Sequence, residues 1–129
     1  MKKKRAKNLS VLIIDDDVQL RRFVGMMFER EGWLVCDAPE ASYALSLVTS
    51  RDLLFNVILV DIALPGMNGI DFIKALQDSS VEHGSLIGVI TGAASTEQEQ
   101  TLRALKPKFI YRKPFNPLDL IQEVERYLE

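Results

Sequence analysis

The sequence predicts an α/β protein in which a five-stranded parallel sheet carries helices on both faces. Five short apolar runs alternate with five stretches of helical periodicity. The runs are apolar throughout rather than at every second residue, the pattern of strands buried on both sides. Polar residues suited to chemistry stand directly after four of these runs, and in a parallel sheet the carboxyl ends of the strands are where sites form.

The first run is Ser-Val-Leu-Ile-Ile at residues 10–14. Leu20, Phe23, Val24, Met27 and Phe28 then recur at helical spacing as one inward face, and Gly32 is placed to end that helix. Residues 33–36 read as the second strand. Ala41, Ala44, Leu45 and Val48 give a second helix, with Pro39 near its first turn. Residues 57–60 form a third strand running into Asp61, residues 63–69 form a turn, and Ile70, Ile73 and Leu76 face inward from a third helix. Residues 86–90 make a fourth strand ending at Thr91. Ser95 or Thr96 caps a more polar fourth helix containing Leu102 and Leu105, and Glu99, three residues after Thr96, fits a capping box. Residues 109–111 are the fifth strand, and Ile121, Val124 and Leu128 mark the last helix. Trp33 and the methionines fit core or near-core spacing, and Cys36 reads as an inert buried thiol.

A chain of 129 residues, 47% hydrophobic and 26% charged, fits one soluble domain with no separate DNA-binding domain. No apolar run approaches the roughly 20 residues needed to span a bilayer. The run that follows the basic N-terminus gives way to three aspartates, so it is no secretory signal. A single cysteine excludes an intramolecular disulfide, and a cytoplasmic location is the simplest expectation. Residues 1–7 carry five positive charges and no negative one, which leaves −7 on the rest of a chain whose net charge is −2. Residues 1–8 are expected to be a disordered, solvated extension and residues 9–129 the folded domain.

Asp15, Asp16 and Asp17 follow the first strand, Asp61 the third, Thr91 the fourth, and Arg112 and Lys113 the fifth. A parallel sheet gathers them at one rim. Crowded carboxylates repel one another unless a cation is bound, and an all-oxygen set without His or Cys favours Mg²⁺. A carboxylate beside a divalent ion is a competent nucleophile towards a phosphoryl group. The transferred group spreads charge over three oxygens that need cationic or hydrogen-bonding partners, which Thr91 and Lys113 supply. Asp17 fits a helix cap, and His83, in a polar connection, fits an ordinary surface residue.

Four blocks carry a resemblance to a known family: Val11-Leu12-Ile13-Ile14-Asp15-Asp16-Asp17, then the run from Ile58 through Asp61 to Gly69, then Val89-Ile90-Thr91-Gly92, and Lys113-Pro114-Phe115. In order and spacing the chain resembles the response-regulator receiver domains of two-component signalling. The resemblance implies a flavodoxin-like, doubly wound sheet with strand order 2-1-3-4-5. It implies Asp61 as phosphoacceptor, Asp15 and Asp16 as the acidic pair, the backbone carbonyl of Ala63 as a further Mg²⁺ ligand, and Thr91 and Lys113 on the phosphoryl oxygens. The Lys113–Pro114 bond is often cis in that family. The implied donor is a sensor histidine kinase or histidine phosphotransfer protein. The implied output surface comprises the fourth helix, fifth strand and last helix, read by a partner protein. On this reading the chain is a phosphorylatable switch rather than an enzyme.

The sequence departs from the family at Ile110, where an aromatic usually tracks phosphorylation; this predicts a less sharp coupling of phosphorylation to the surface. Leu64 replaces a more usual methionine, and Ala63 and Ala93 leave no side chain to orient water beside the acyl phosphate. Two other functions compete. One is a degenerate receiver acting as a docking module, against which the full set of site residues argues. The other is a phosphohydrolase resembling the haloacid dehalogenases, suggested by Asp15-x-Asp17; its later acidic ligands would have to come from Asp119, Glu123, Glu125 or Glu129. Three carboxylates after the first strand also repel a flavin phosphate.

Overall fold

The computed structural model describes residues 9–50, 53–79, 84–92 and 94–129. The extension expected over residues 1–8, together with His83 and Ala93, lies outside the described residues. Along the chain run β1 (Ser10–Ile14), α1 (Val18–Arg30), β2 (Leu34–Ala38), α2 (Ala41–Thr49) and β3 (Val57–Asp61). They are followed by α3 (Gly69–Asp78), β4 (Leu86–Thr91), α4 (Thr96–Leu105), β5 (Phe109–Arg112) and α5 (Pro117–Tyr127). All four strand pairings are parallel, in the order β2-β1-β3-β4-β5. The predicted fold is the one observed.

Strand side chains alternate between two cores. Leu12, Ile14, Ile58, Val60 and Val89 pack with Ala44, Phe72, Ile73 and Leu102 beneath α2, α3 and α4. Val11, Ile13, Val57, Leu59 and Ile90 pack with Val24, Phe28, Leu120 and Val124 beneath α1 and α5. Each large side chain buried this way contributes roughly 1.5–3 kcal/mol relative to exposure. Gly88 on β4 lies opposite Phe109 of β5, and a Cβ there would overlap the Phe109 ring.

Helix starts are set by short polar side chains. Asp17 accepts from the Leu20 N–H at 3.1 Å, Asn68 from Asp71 at 2.9 Å, and Asn116 from Leu118 at 2.9 Å. The capping box of α4 is formed by Ser95 and Gln98 rather than by Thr96 and Glu99. Glu99 therefore stays free to reach β5. The second strand begins one residue later than predicted, because Trp33 turns inward and meets Phe28 edge-on at 5.1 Å. Gly32, at φ 91°, supplies the reversal between α1 and β2.

Three burial expectations are corrected. Phe23 is 47% exposed, since it leaves the α1 seam and lines a shallow apolar hollow with Leu20, Phe115 and Pro117. Met26 is on the exposed side of the same helix. Cys36 is half-buried, because β2 is an edge strand.

Candidate functional site

β1, β3, β4 and β5 end at one rim, and the chain places a polar residue at each end. Asp15 follows β1, Asp61 closes β3, Thr91 closes β4, and Lys113 follows β5. The Asp15 backbone is held from both sides: its N–H donates to the Ala38 carbonyl at 3.2 Å, and its carbonyl accepts from Arg21 Nη1 at 2.7 Å. Asp61 is fixed by the first residue of α3. A Cβ on Gly69 would run into the Asp61 carbonyl oxygen, so only glycine lets α3 start this close to the strand.

The carboxylates converge. One oxygen from each of Asp15, Asp16 and Asp61 lies within 4.8 Å of the others. Asp15 and Asp61 are 1% and 3% exposed, whereas Asp16 faces solvent. Lys113 donates its backbone N–H to the Thr91 carbonyl at 2.8 Å, which ties the two strand ends together. Its ammonium turns inward, 3.1 Å from Asp61 Oδ2 and 3.0 Å from Asp15 Oδ2. The Asp17 N–H donates to Asp15 Oδ1 at 2.9 Å, and the Ala63 N–H to Asp61 Oδ1 at 3.3 Å. The Lys113–Pro114 bond is cis.

Charge is incompletely balanced here. Burial pushes the Asp15 carboxyl above its usual range, with the Asp61 charge adding to it, and the Asp17 amide and Lys113 offset this only in part. Burial pulls Lys113 down, but its contacts with the two carboxylates outweigh that and raise it, so the ammonium keeps its proton. Two buried atoms remain unsatisfied among the described residues. The Thr91 hydroxyl has no partner, and Asp15 Oδ2 has the charge of Lys113 beside it but no well-directed hydrogen bond. A carboxylate cluster facing one ammonium, with a hydroxyl awaiting an acceptor, fits a hard divalent cation and an incoming group rich in oxygen.

The structure also separates residues that the sequence left together. Asp17 is the cap of α1 and not part of the cluster. Arg112 turns to α4, where it meets Glu99 at 2.7 Å, while Lys113 turns to the carboxylates. Arg21 went unnoticed in the sequence. It joins the Asp15 carbonyl to the Asp37 carboxylate, 3.0 Å from its Nε, and so fixes the end of β1 against β2. The Arg21-Arg22 pair one turn after three aspartates was the available signal.

Residues 11–125 match the family described as the response regulator receiver domain. An uncharacterized 14.6 kDa protein of Leptolyngbya boryana is 32% identical over 121 residues, covering 92% of this chain and 89% of that protein. Sporulation initiation phosphotransferase F of Bacillus subtilis is 26% identical, covering 94% of each chain. Among solved structures, a CheY-like response regulator receiver domain protein from Methanospirillum hungatei superposes with a TM-score of 0.85 at 28% identity, covering 95% of this chain and 94% of that one. No helix among the described residues is long and apolar enough to cross a membrane. Fold, rim and match together show that the chain belongs to the response regulator receiver domain family, the phosphorylatable switches of two-component systems.

Proposed function

We propose that Asp61 accepts a phosphoryl group from a phosphohistidine on a sensor histidine kinase or histidine phosphotransfer protein, and that the modified domain changes its binding to a partner protein. The observation that carries this reading is the buried Asp61 carboxylate, bonded to Lys113 within a three-carboxylate cluster beside an unsatisfied Thr91 hydroxyl. An Asp61 carboxylate oxygen attacks phosphorus. The new O–P bond forms as the N–P bond breaks, and the electron pair stays on the imidazole nitrogen. Lys113 meets one phosphoryl oxygen with its charge, and Thr91 donates its hydroxyl to another. Asp15, Asp16, Asp61 and the Ala63 carbonyl would hold Mg²⁺, which when bound neutralises charge on the transferring oxygens.

The domain resets when water hydrolyses the acyl phosphate, so it promotes its own phosphorylation and dephosphorylation rather than turning over a separate substrate. Phosphorylation adds negative charge at the end of β3 and draws Thr91 towards it, which biases the face formed by α4, β5 and α5. In this reading the receiver unit spans residues 9–129 behind a basic extension and works in the cytoplasm. The Bacillus subtilis relative, by its name a phosphotransferase, supports the phosphoryl chemistry.

Incubation with a small phosphodonor and Mg²⁺, followed by intact-mass measurement, tests the proposal. The unaltered chain gains one phosphate and Asp61→Asn gains none. A gain in the variant removes Asp61 from the role, and no gain in the unaltered chain leaves a docking module instead.

A further inference from the structure

Residues 103–113 carry five positive charges and no negative one, in a chain that is acidic beyond residue 7. Lys113 turns into the carboxylate cluster. The other four, Arg103, Lys106, Lys108 and Arg112, line one groove of about 500 Å³ between the end of α4 and β5, with Phe109 and Ile110 also in its wall. The negative end of α4 accounts for Arg103 and Lys106, but not for Lys108 and Arg112 on the strand side. Glu99 offsets part of this charge, 2.7 Å from Arg112 and 3.8 Å from Arg103. Among the described residues Lys106 and Lys108 make no ion pair, and Lys108 lies over the Tyr127 ring at 5.1 Å.

The strand beside the groove is an edge. Among the described residues β5 pairs with β4 alone. The Lys113 N–H donates to the Thr91 carbonyl of β4 in the register that sets Thr91 against Arg112. By alternation the N–H groups of Phe109 and Tyr111 also face β4, and those of Ile110 and Arg112 point to the open side.

We propose that this groove docks an extended acidic segment of a partner protein, which adds to the edge of β5 and sets its carboxylates against Arg103, Lys106, Lys108 and Arg112. This names the chemistry of the output partner and rests on the switch reading above. The remainder of the body is negative and repels a long polyanion such as nucleic acid, whereas a short peptide meets only the local positive field. The unpaired strand edge likewise offers main-chain pairing that a nucleic acid cannot use. Arg112 directly precedes Lys113, so phosphorylation of Asp61 adjusts the groove from one end.

The test titrates the full chain against a fluorescein-labelled decapeptide of alternating Glu and Val, followed by anisotropy. The Lys-Val counterpart and a single-stranded DNA of similar charge serve as rival probes. Lys106→Glu with Lys108→Glu, two exposed positions outside the carboxylate site, is expected to weaken the Glu-Val peptide by about tenfold or more. The Ile110 and Arg112 amides, which face the open edge, gain protection from exchange in the complex. Should that double variant melt early, Lys106→Gln with Lys108→Gln replaces it, with a smaller loss. Unchanged affinity in both variants, or tighter binding of DNA than of the peptide, overturns the proposal. Phosphate uptake is measured on the same samples. Peptide binding without uptake supports the groove and defeats the phosphoacceptor reading, and uptake without peptide binding does the reverse.

Discussion

On one side of β5, Phe109 stacks on Tyr127 at 5.9 Å and Tyr111 meets Phe115 edge-on at 6.0 Å, beneath α1 and α5. On the other side, facing α4, Ile110 packs beside the cluster containing Leu102, and Arg112 reaches Glu99. Because strand side chains alternate, neither aromatic neighbour of Ile110 can replace it on the α4 side. The rings brace the sheet where no switching is expected. Aliphatic packing and an exposed ion pair occupy the side where the output face is proposed. On the proposed reading, a signal from Asp61 has Thr91, the start of α4 and the Arg112–Glu99 bridge to travel through, and among the described residues no β5 ring on that side to reorient.

The largest expected effect tests the structural half of this contrast. Phe109→Ala should cost about 3–5 kcal/mol in urea unfolding, because the ring fills the space over Gly88 and stacks on Tyr127, whereas Ile110→Val should cost about 0.5–1.5 kcal/mol. Equal costs would erase the distinction between the two sides.

An intermediate effect of opposite sign is expected at the rim. Asp15 is buried with its carboxyl raised from 3.8, so its ionised form is disfavoured by the fold. Asp15→Asn should therefore stabilise the cation-free protein at neutral pH by roughly 0.5–2 kcal/mol while removing its response to Mg²⁺. A group with a raised folded pKa contributes stability that is complete below its unfolded value and is lost as pH rises through the folded one. The gap between variant and parent should thus close as pH falls towards 3.8. A variant less stable than its parent at pH 7 contradicts this account of the site.

The smallest effect concerns the α4 side itself. Arg112→Gln removes an ion pair whose arginine side chain is 53% exposed and should change stability by less than about 1 kcal/mol. Amide exchange over residues 94–112 should also shift only modestly when an acyl-phosphate mimic is added. A large gain in protection there would show a sharp switch operating without an aromatic at position 110.

Several features were legible because they depend on local pattern. The apolar runs, the helical periodicity and the capping side chains of Asp17 and Ser95 are short-range and read directly from residue order. The capping box was misplaced by one residue, since Thr96 with Glu99 and Ser95 with Gln98 both satisfy the local rule. Glu99 instead pairs with Arg112, a contact that local spacing does not reveal. Phe23 was misassigned for a related reason: its helical phase is compatible with burial, but the seam of α1 against the sheet is narrower than its apolar stripe.

The sequence by itself determined the alternating architecture and the identity of the polar residues at each strand end, because strand polarity and side-chain chemistry are written residue by residue. Only the tertiary structure decided which of those residues meet. Asp61 and Lys113, 52 positions apart, share a bond because β3 and β5 flank β4 in a parallel sheet. Of three consecutive aspartates, two join the cluster, one of them buried and one facing solvent, and the third caps a helix. The alternation of side chains at the end of β5 that lets Lys113 turn inward leaves Arg112 on the α4 side to complete a cationic groove. Contacts between distant residues follow from how the layers pack, and that is set by the whole core rather than by any segment of the chain.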